Sequence, residues 1–231
     1  MDLPIFFHET FPSPDILTLN EDTSKHAVQV LRMKRSEKLQ LSDGAGNVLT
    51  AEIVDDHKKK CTVKIIERKA VQKKQKEICI AISLLKNISR FEWFLEKATE
   101  LGVTEFIPLL CERTEKQHFR FDRMKQILIS AMMQSKQAWL PVLHEPTAFS
   151  KVINSSAYQT KLIAHCEDEP KQLIKDFLGS DRMQILIGPE GDFNQGEISL
   201  ALQNNYTPVT LGDTRLRTET AGVAAAAWLC L

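Results

Sequence analysis

Several absences narrow the class of this 231-residue chain before any motif is read. There is no net charge: 30 lysines and arginines balance 30 aspartates and glutamates, so no global field draws the chain toward nucleic acid, and any basic footprint must be local. There is no Cys-x-x-Cys pair. Cys61, Cys79, Cys111, Cys166 and Cys230 stand singly at irregular spacing, which argues against a zinc knuckle or a disulfide framework. Cys79, Cys111 and Cys230 lie in apolar runs and read as buried thiols of a reducing compartment. His8, His26, His57, His118, His144 and His165 share no ligand spacing, so no metal site is expected. No apolar run approaches membrane-spanning length, and a start carrying Asp2, Pro4, Pro12 and Pro14 is no signal peptide. The chain also lacks a nucleophile elbow, a phosphate-loop Lys, a G-x-G-x-x-G run, internal repeats and low-complexity tracts. With 43% hydrophobic and 26% charged residues, the expectation is an ordinary soluble, cytoplasmic protein without membrane or metal partners.

What is present falls into two styles. Residues 1–72 read as a small β domain. Leu39–Ser42 and Val48–Val54 alternate around Asp43-Gly44 and Gly46-Asn47, a hairpin signal, and Cys61–Ile66 reads as a third strand. Thr23–Leu31 reads as a short helix capped at Thr23. The polar stretch Lys69–Glu77 reads as a linker. Residues 73–231 then alternate strand and helix. Strands are expected at 78–85, 104–111, 161–165, 184–188 and 208–211. Helices are expected at 89–101, with a Ser89-x-x-Glu92 capping box and a Gly102 stop, and at 122–138, 171–177, 195–203 and 218–230. That alternation implies a mostly parallel sheet with helices on both faces.

The chemistry concentrates in two turns near the C-terminus. Ile187-Gly188-Pro189-Glu190-Gly191 and Leu211-Gly212-Asp213-Thr214-Arg215-Leu216-Arg217-Thr218-Glu219 each follow a strand-like run and precede a helix. Loops at the carboxyl ends of parallel strands form the crevice where open α/β sheets bind ligands. The first turn is stiffened by Pro189 and exposes backbone groups at its glycines. The second brings two arginines to a helix start, where Thr218 is placed to cap and Glu219 meets the favourable end of the dipole. Arginines there are suited to bidentate anion contacts. Local basic clusters, Arg32-Met33-Lys34-Arg35, Lys58–Lys60 and Lys73-Lys74-x-Lys76, all fall in the first domain or linker and suit a phosphate backbone.

Taken with His26–Arg32, Leu41–Gly44, Glu96–Val103 and Glu112-Arg113-Thr114, the two turns resemble those of SPOUT-class S-adenosylmethionine-dependent RNA methyltransferases, and among them the RsmE family. The resemblance spans nearly the whole chain. It implies an N-terminal PUA-like β barrel, a trefoil-knotted α/β domain and a homodimer. It also implies methylation of N3 of a uridine in small-subunit (16S) ribosomal RNA. S-adenosylmethionine would meet Ile187, Gly188, Pro189, Glu190, Gly191, Leu211, Gly212, Leu216, Arg217 and Thr218, while Arg32, Lys34, Arg35, Gln134 and Lys136 would contact RNA. Two positions depart from the family pattern: Asp192 stands where a second Gly is usual, and Met133-Gln134-Ser135-Lys136-Gln137 replaces Glu-Gln-Ser-x-Arg. Lys136 and Arg113 are the cations that could take the place of the missing Arg. For the transfer itself, Arg217 suits stabilisation of charge on the uracil oxygens, and Glu190 or Glu219 suits the role of base. A ribose 2′-hydroxyl methyltransferase of transfer RNA and an RNA-binding relative without catalysis stand as the alternatives.

Overall fold

A computed structural model describes residues 3–11, 15–115 and 118–231; Asp2, Pro12 and Pro14 lie outside the described residues. The chain divides into two compact units, Met1–Lys73 with Met132–Leu140, and Lys74–Ala131 with Pro141–Leu231.

The first unit is a five-stranded sheet of β1 (Ile5–Phe7), β2 (Ile16–Thr18), β3 (Lys38–Ser42), β4 (Asn47–Asp55) and β5 (Thr62–Ala70), in the order β1-β3-β4-β5-β2. β3 and β4 form the expected antiparallel hairpin, with Ser42 opposite Val48. Asp43 shapes its turn by accepting from the N–H groups of Ala45 (2.7 Å) and Asn47 (3.1 Å). Gly46 is required there twice over: its φ is +91°, and a Cβ would lie 2.4 Å from the Trp139 ring. Leu39, Leu41, Leu49, Ala51, Ile53 and Val63 form a buried core. Strand β5 runs on to Ala70, through the start of the expected linker, because its ladder with β4 continues to Asn47 opposite Ala70. The short helix α1 (Glu21–Lys25) begins earlier than expected: Asn20, not Thr23, is the cap, and it accepts from the Thr23 N–H at 2.8 Å. It leads into a π-helical turn, His26–Val30.

The second unit is built on an eight-stranded sheet. Its strands are β6 (Glu77–Ser83), β7 (Glu105–Leu110), β8 (Val142–Leu143), β9 (Thr147–Ala148), β10 (Thr160–Ala164), β11 (Gln172–Leu173), β12 (Arg182–Ile187) and β13 (Thr207–Thr210). Their order is β11-β13-β10-β12-β6-β7-β8, with β9 also on β7, and every ladder is parallel. Helices α2 (Ile88–Leu101), α4 (Phe149–Ser155), α5 (Gln195–Gln203) and α6 (Thr218–Cys230) belong to this unit, and α3 (Phe121–Gln134) begins in it. The central strand β6 is buried on both faces, as in covered parallel sheets: Ile78, Cys79, Ile80, Ala81 and Ile82 are all 0–1% exposed. Among the described residues, no helix is long and apolar enough to cross a membrane.

Several expectations are corrected. The Ser89–Glu92 capping box does not form. Asn87 caps α2 by accepting from the Ser89 N–H at 3.0 Å, and Glu92 instead pairs with Arg123 of α3 at 2.8 Å. Helix α3 stops at Gln134 rather than Ala138, because the chain turns at Lys136 (φ +55°) to pair with the hairpin of the first unit. There the Gly46 N–H donates to Ala138 O at 2.9 Å, and Trp139 bridges Ala45. The expected helix at 171–177 is strand β11 followed by a 3-10 turn, Ile174–Phe177, because Gln172 and Leu173 pair with Val209 and Thr210. Thr218 does not cap α6: Arg217 occupies the cap position without a side-chain bond, and Thr218 is buried as the first helical residue. The five cysteines are free, with Cys61, Cys79 and Cys111 buried, Cys166 exposed and Cys230 half-buried. Burial pushes the Cys61 thiol up to about 11 and that of Cys111 up to about 12.

Candidate functional site

Strand β10 lies between β12 and β13, so the loops after all three strands open at the same edge of the sheet. The two turns singled out by sequence are thus one strand apart, and the segment after β10 separates them. This is the geometry at which parallel sheets hold ligands.

The turn after β12 is tightly braced. Ile187, Gly188 and Pro189 are buried, and Glu190 and Gly191 are exposed. Gly188 packs against Phe193 so closely that a Cβ would meet the ring at 3.1 Å and the Phe193 nitrogen at 3.2 Å. Asp192 holds φ +63°, a left-handed backbone that Asp tolerates better than most L-residues. This accounts for Asp where the family pattern has Gly. The side chain then adds something Gly has not: Oδ1 accepts from its neighbour Phe193 N–H at 2.9 Å, and Oδ2 accepts from Cys166 N–H at 2.7 Å. Arg113 donates from Nη1 to Gly191 O at 2.7 Å, and the Asp192 N–H closes the turn on Pro189 O at 2.9 Å. A complete capping box, Asn194 with Glu197, starts α5, and Asn194 Nδ2 also reaches Glu112 at 2.6 Å.

The turn after β13 is held differently. Gly212 has φ +149° with no heavy atom within 4 Å of a would-be Cβ, so backbone conformation alone requires glycine. Thr210 Oγ1 donates to Gly212 O at 2.9 Å. Leu211 and Leu216 are half-buried, while Arg215 and Arg217 are exposed. Behind them Glu219 is 6% exposed. Its Oε1 lies 3.6 Å from Nε of Arg90 on α2, and its Oε2 is buried without a hydrogen-bond partner. The pairing depends on close packing of α6: a Cβ on Gly222 would lie 2.6 Å from the Phe94 ring and 2.9 Å from Ile82.

The end of β10 lies between the two turns. His165 is 7% exposed and neither ring nitrogen has a hydrogen-bond partner. Burial, then the nearby Lys171 ammonium, lower its basicity, with Asp192, Glu169 and Glu167 opposing. Cys166 is exposed overall, but partial desolvation of its thiol and then Asp192 of one turn push it up, while Arg215 of the other turn and Lys171 draw it back. Charges from both turns therefore converge here.

Sequence had placed Ile187 to Gly191, Leu211, Gly212 and Leu216 to Glu219 together, and the sheet order brings them to one edge. Arg113 joins them through Gly191. Arg32, Lys34, Arg35, Gln134 and Lys136 all belong to the first unit and are exposed. Two residues escaped sequence reading. Arg90 gains meaning only by meeting a carboxylate 129 positions later (219 − 90), and His165 carries no motif at all.

An all-parallel α/β domain with a glycine-built crevice at its strand ends, joined to a small β domain, defines the class. The family model described as RNA methyltransferase domain matches residues 72–230, and that described as RNA methyltransferase PUA domain matches 19–66. The chain is 31% identical over 220 residues to ribosomal RNA small subunit methyltransferase E of Synechocystis, covering 91% of this chain and 71% of that relative. The crystal structure of a probable rRNA-methyltransferase from Porphyromonas gingivalis matches with 36% identity and a TM-score of 0.91, over 98% of this chain and 96% of that one. A ribosomal RNA small subunit methyltransferase E from Neisseria gonorrhoeae, bound to S-adenosyl methionine, matches with 28% identity and a TM-score of 0.87, over 98% and 96%. The chain belongs to the RNA methyltransferases, and within them to the ribosomal RNA small subunit methyltransferase E family.

Proposed function

We propose that this chain methylates N3 of a uridine in small-subunit ribosomal RNA, with S-adenosylmethionine bound in the crevice after β10, β12 and β13. The observation that carries the reading is the crevice itself. A glycine stands in each lip, and Glu219, in the first turn of the helix that follows the second lip, has a buried Oε2 without a partner. An orphaned carboxylate oxygen is costly unless a ligand satisfies it, and a cationic ligand does so well. The donor set therefore fits a sulfonium nucleoside. Ile187, Gly188, Pro189, Glu190 and Gly191 would hold one side of it, and Leu211, Gly212, Leu216, Arg217 and Thr218 the other.

When bound, S-adenosylmethionine supplies an activated methyl group. The chain supplies position and charge. Uracil N3 must lose its proton, spreading negative charge onto O2 and O4. Exposed Arg217, at the start of α6, is placed to meet that charge. Of the two candidate bases, Glu219 has the free buried oxygen, whereas Glu190 is exposed on the rim; the proton is accordingly assigned to Glu219. Arg113, committed to Gly191 O, is assigned to positioning the turn. Arg32, Lys34, Arg35, Gln134 and Lys136 form the RNA-contacting set of the β domain.

The family resemblance further implies a trefoil knot, a homodimer and a place in the cytoplasm, where ribosomal subunits are assembled. Exposed Trp228 and Leu231 at the end of α6 supply apolar surface for a second copy. Incubation with labelled donor and small subunits from cells lacking the activity, followed by nucleoside mass spectrometry, tests the reading. The expected product is 3-methyluridine; a 2′-O-methyl nucleoside, or no label, overturns it. Arg217→Ala should lower transfer by about 10²-fold; full transfer with normal donor affinity would remove its charge-stabilising role.

A further inference from the structure

His165 is unexplained by anything above. It follows β10 directly, between the strands that lead into the two turns. Its main-chain neighbour Cys166 is tied by its N–H to Asp192 of the first turn. The ring is more than nine-tenths buried, yet both nitrogens lack partners. A neutral imidazole has one N–H to give and one lone pair to receive with. Leaving both unmet in a buried place is unfavourable, and natural interiors avoid it. The two nitrogens point to opposite sides of the ring, so one edge of a ligand meets one of them. The adenosine half of a nucleoside ligand offers both donors and acceptors, on its ribose diol and on its adenine edge, whereas a thioether or sulfonium offers no donor.

We propose that His165 is a binding residue for the adenosine half of the methyl donor, hydrogen-bonded to it through one ring nitrogen at the end of β10, between the two turns. The inference rests on the reading of this crevice as the donor site, and it adds a recognition residue to the glycine backbone.

The test is calorimetry of the full chain with S-adenosylhomocysteine and with methylthioadenosine, which keeps the adenosine but lacks the amino-acid end. Loss of that hydrogen bond in His165→Ala should weaken both ligands by about tenfold and to the same degree. His165→Asn, which keeps a donor and an acceptor, should recover part of the loss. Unchanged affinities overturn the proposal, as does weakening of S-adenosylhomocysteine alone, which would place the imidazole at the amino-acid end. Ring ¹⁵N shifts of His165 in the unmutated protein guard against a variant that folds poorly: they should move on saturation with either ligand, and a static ring counts against the assignment. If the unmutated chain binds neither ligand, the donor-site reading falls and His165 with it. If it binds both and His165→Ala does too, only the role of His165 falls.

Discussion

The two turns that face each other across β10 are made of similar residues but held by opposite means. The Gly188–Phe193 turn is a braced object. Asp192 satisfies two backbone N–H groups, Arg113 holds Gly191 O, and Phe193 fills the space beside Gly188. The Leu211–Arg217 turn rests on backbone conformation, with Thr210 and Gly212 bonding each other and open space around the Gly212 Cα. In the proposed donor site, one lip is therefore held by hydrogen bonds to other segments, and the other by bonding within its own stretch of chain. Preorganisation on one side limits the ordering cost of binding, and freedom on the other permits entry and release.

Breaking the brace should give the largest effect. Asp192→Ala leaves an alanine at φ +63° and strips acceptors from Phe193 and Cys166. Left-handed strain plus two lost hydrogen bonds predicts destabilisation of about 2–4 kcal/mol, read by chemical denaturation. Asp192→Gly relieves the strain and should cost less than the alanine; if it costs as much, conformation is not the reason Asp is tolerated there. Next comes Gly188→Ala. Its Cβ would press on the Phe193 ring at 3.1 Å, and overpacking of that kind predicts about 1–3 kcal/mol together with weaker donor binding in calorimetry. Smaller still is Gly212→Ala, which meets no atom but must hold φ +149°. It should cost about 1 kcal/mol or so, because the unbraced loop can relax, and it should show more in donor affinity than in melting temperature. A Gly212→Ala protein as destabilised as Asp192→Ala would erase the distinction between the lips.

Much of this arrangement was legible in the chain. Gly and Pro punctuate both turns, and helices 195–203 and 218–230 follow them because the turn residues mark where apolar patterns begin. The Asp43–Asn47 hairpin was equally plain, since its turn chemistry is local. What escaped depends on distant partners. Helical periodicity extends α3 to Ala138, yet pairing of Trp139 with Ala45 ends it at Gln134. Gln172 and Leu173 look helical until β13 is beside them. A Ser-x-x-Glu pattern promised a cap at Ser89, but Asn87 stood nearer and Arg123 claimed Glu92. Arg90 and His165 carry no sequence signal because their roles are defined by a buried carboxylate and by a gap in hydrogen bonding. Local rules located the lips of the crevice. Only tertiary packing supplied its floor.

The smallest expected effect is a pH dependence that belongs to the braced lip and the floor beside it. His165 is disfavoured as a cation by burial and by Lys171, more than Asp192, Glu169 and Glu167 favour it. Its folded-state basicity therefore lies below the ordinary value of 6.5. A group depressed in this way contributes its full stability above the unfolded value and loses it as pH falls toward the folded one, because the unfolded chain binds the proton more readily. Melting should thus be flat with respect to this residue above pH 6.5 and decline below it, and His165→Gln should remove that part of the decline. Acidification also introduces a positive charge beside Cys166, whose N–H is the tether to Asp192. Protection from hydrogen exchange, taken relative to the intrinsic rate at each pH, should fall at the Cys166 and Phe193 amides below pH 6.5 in the unmutated protein while that at Gly212 stays level. An equal loss of protection at Gly212 would mean that the two lips open together, and that the brace does not set them apart.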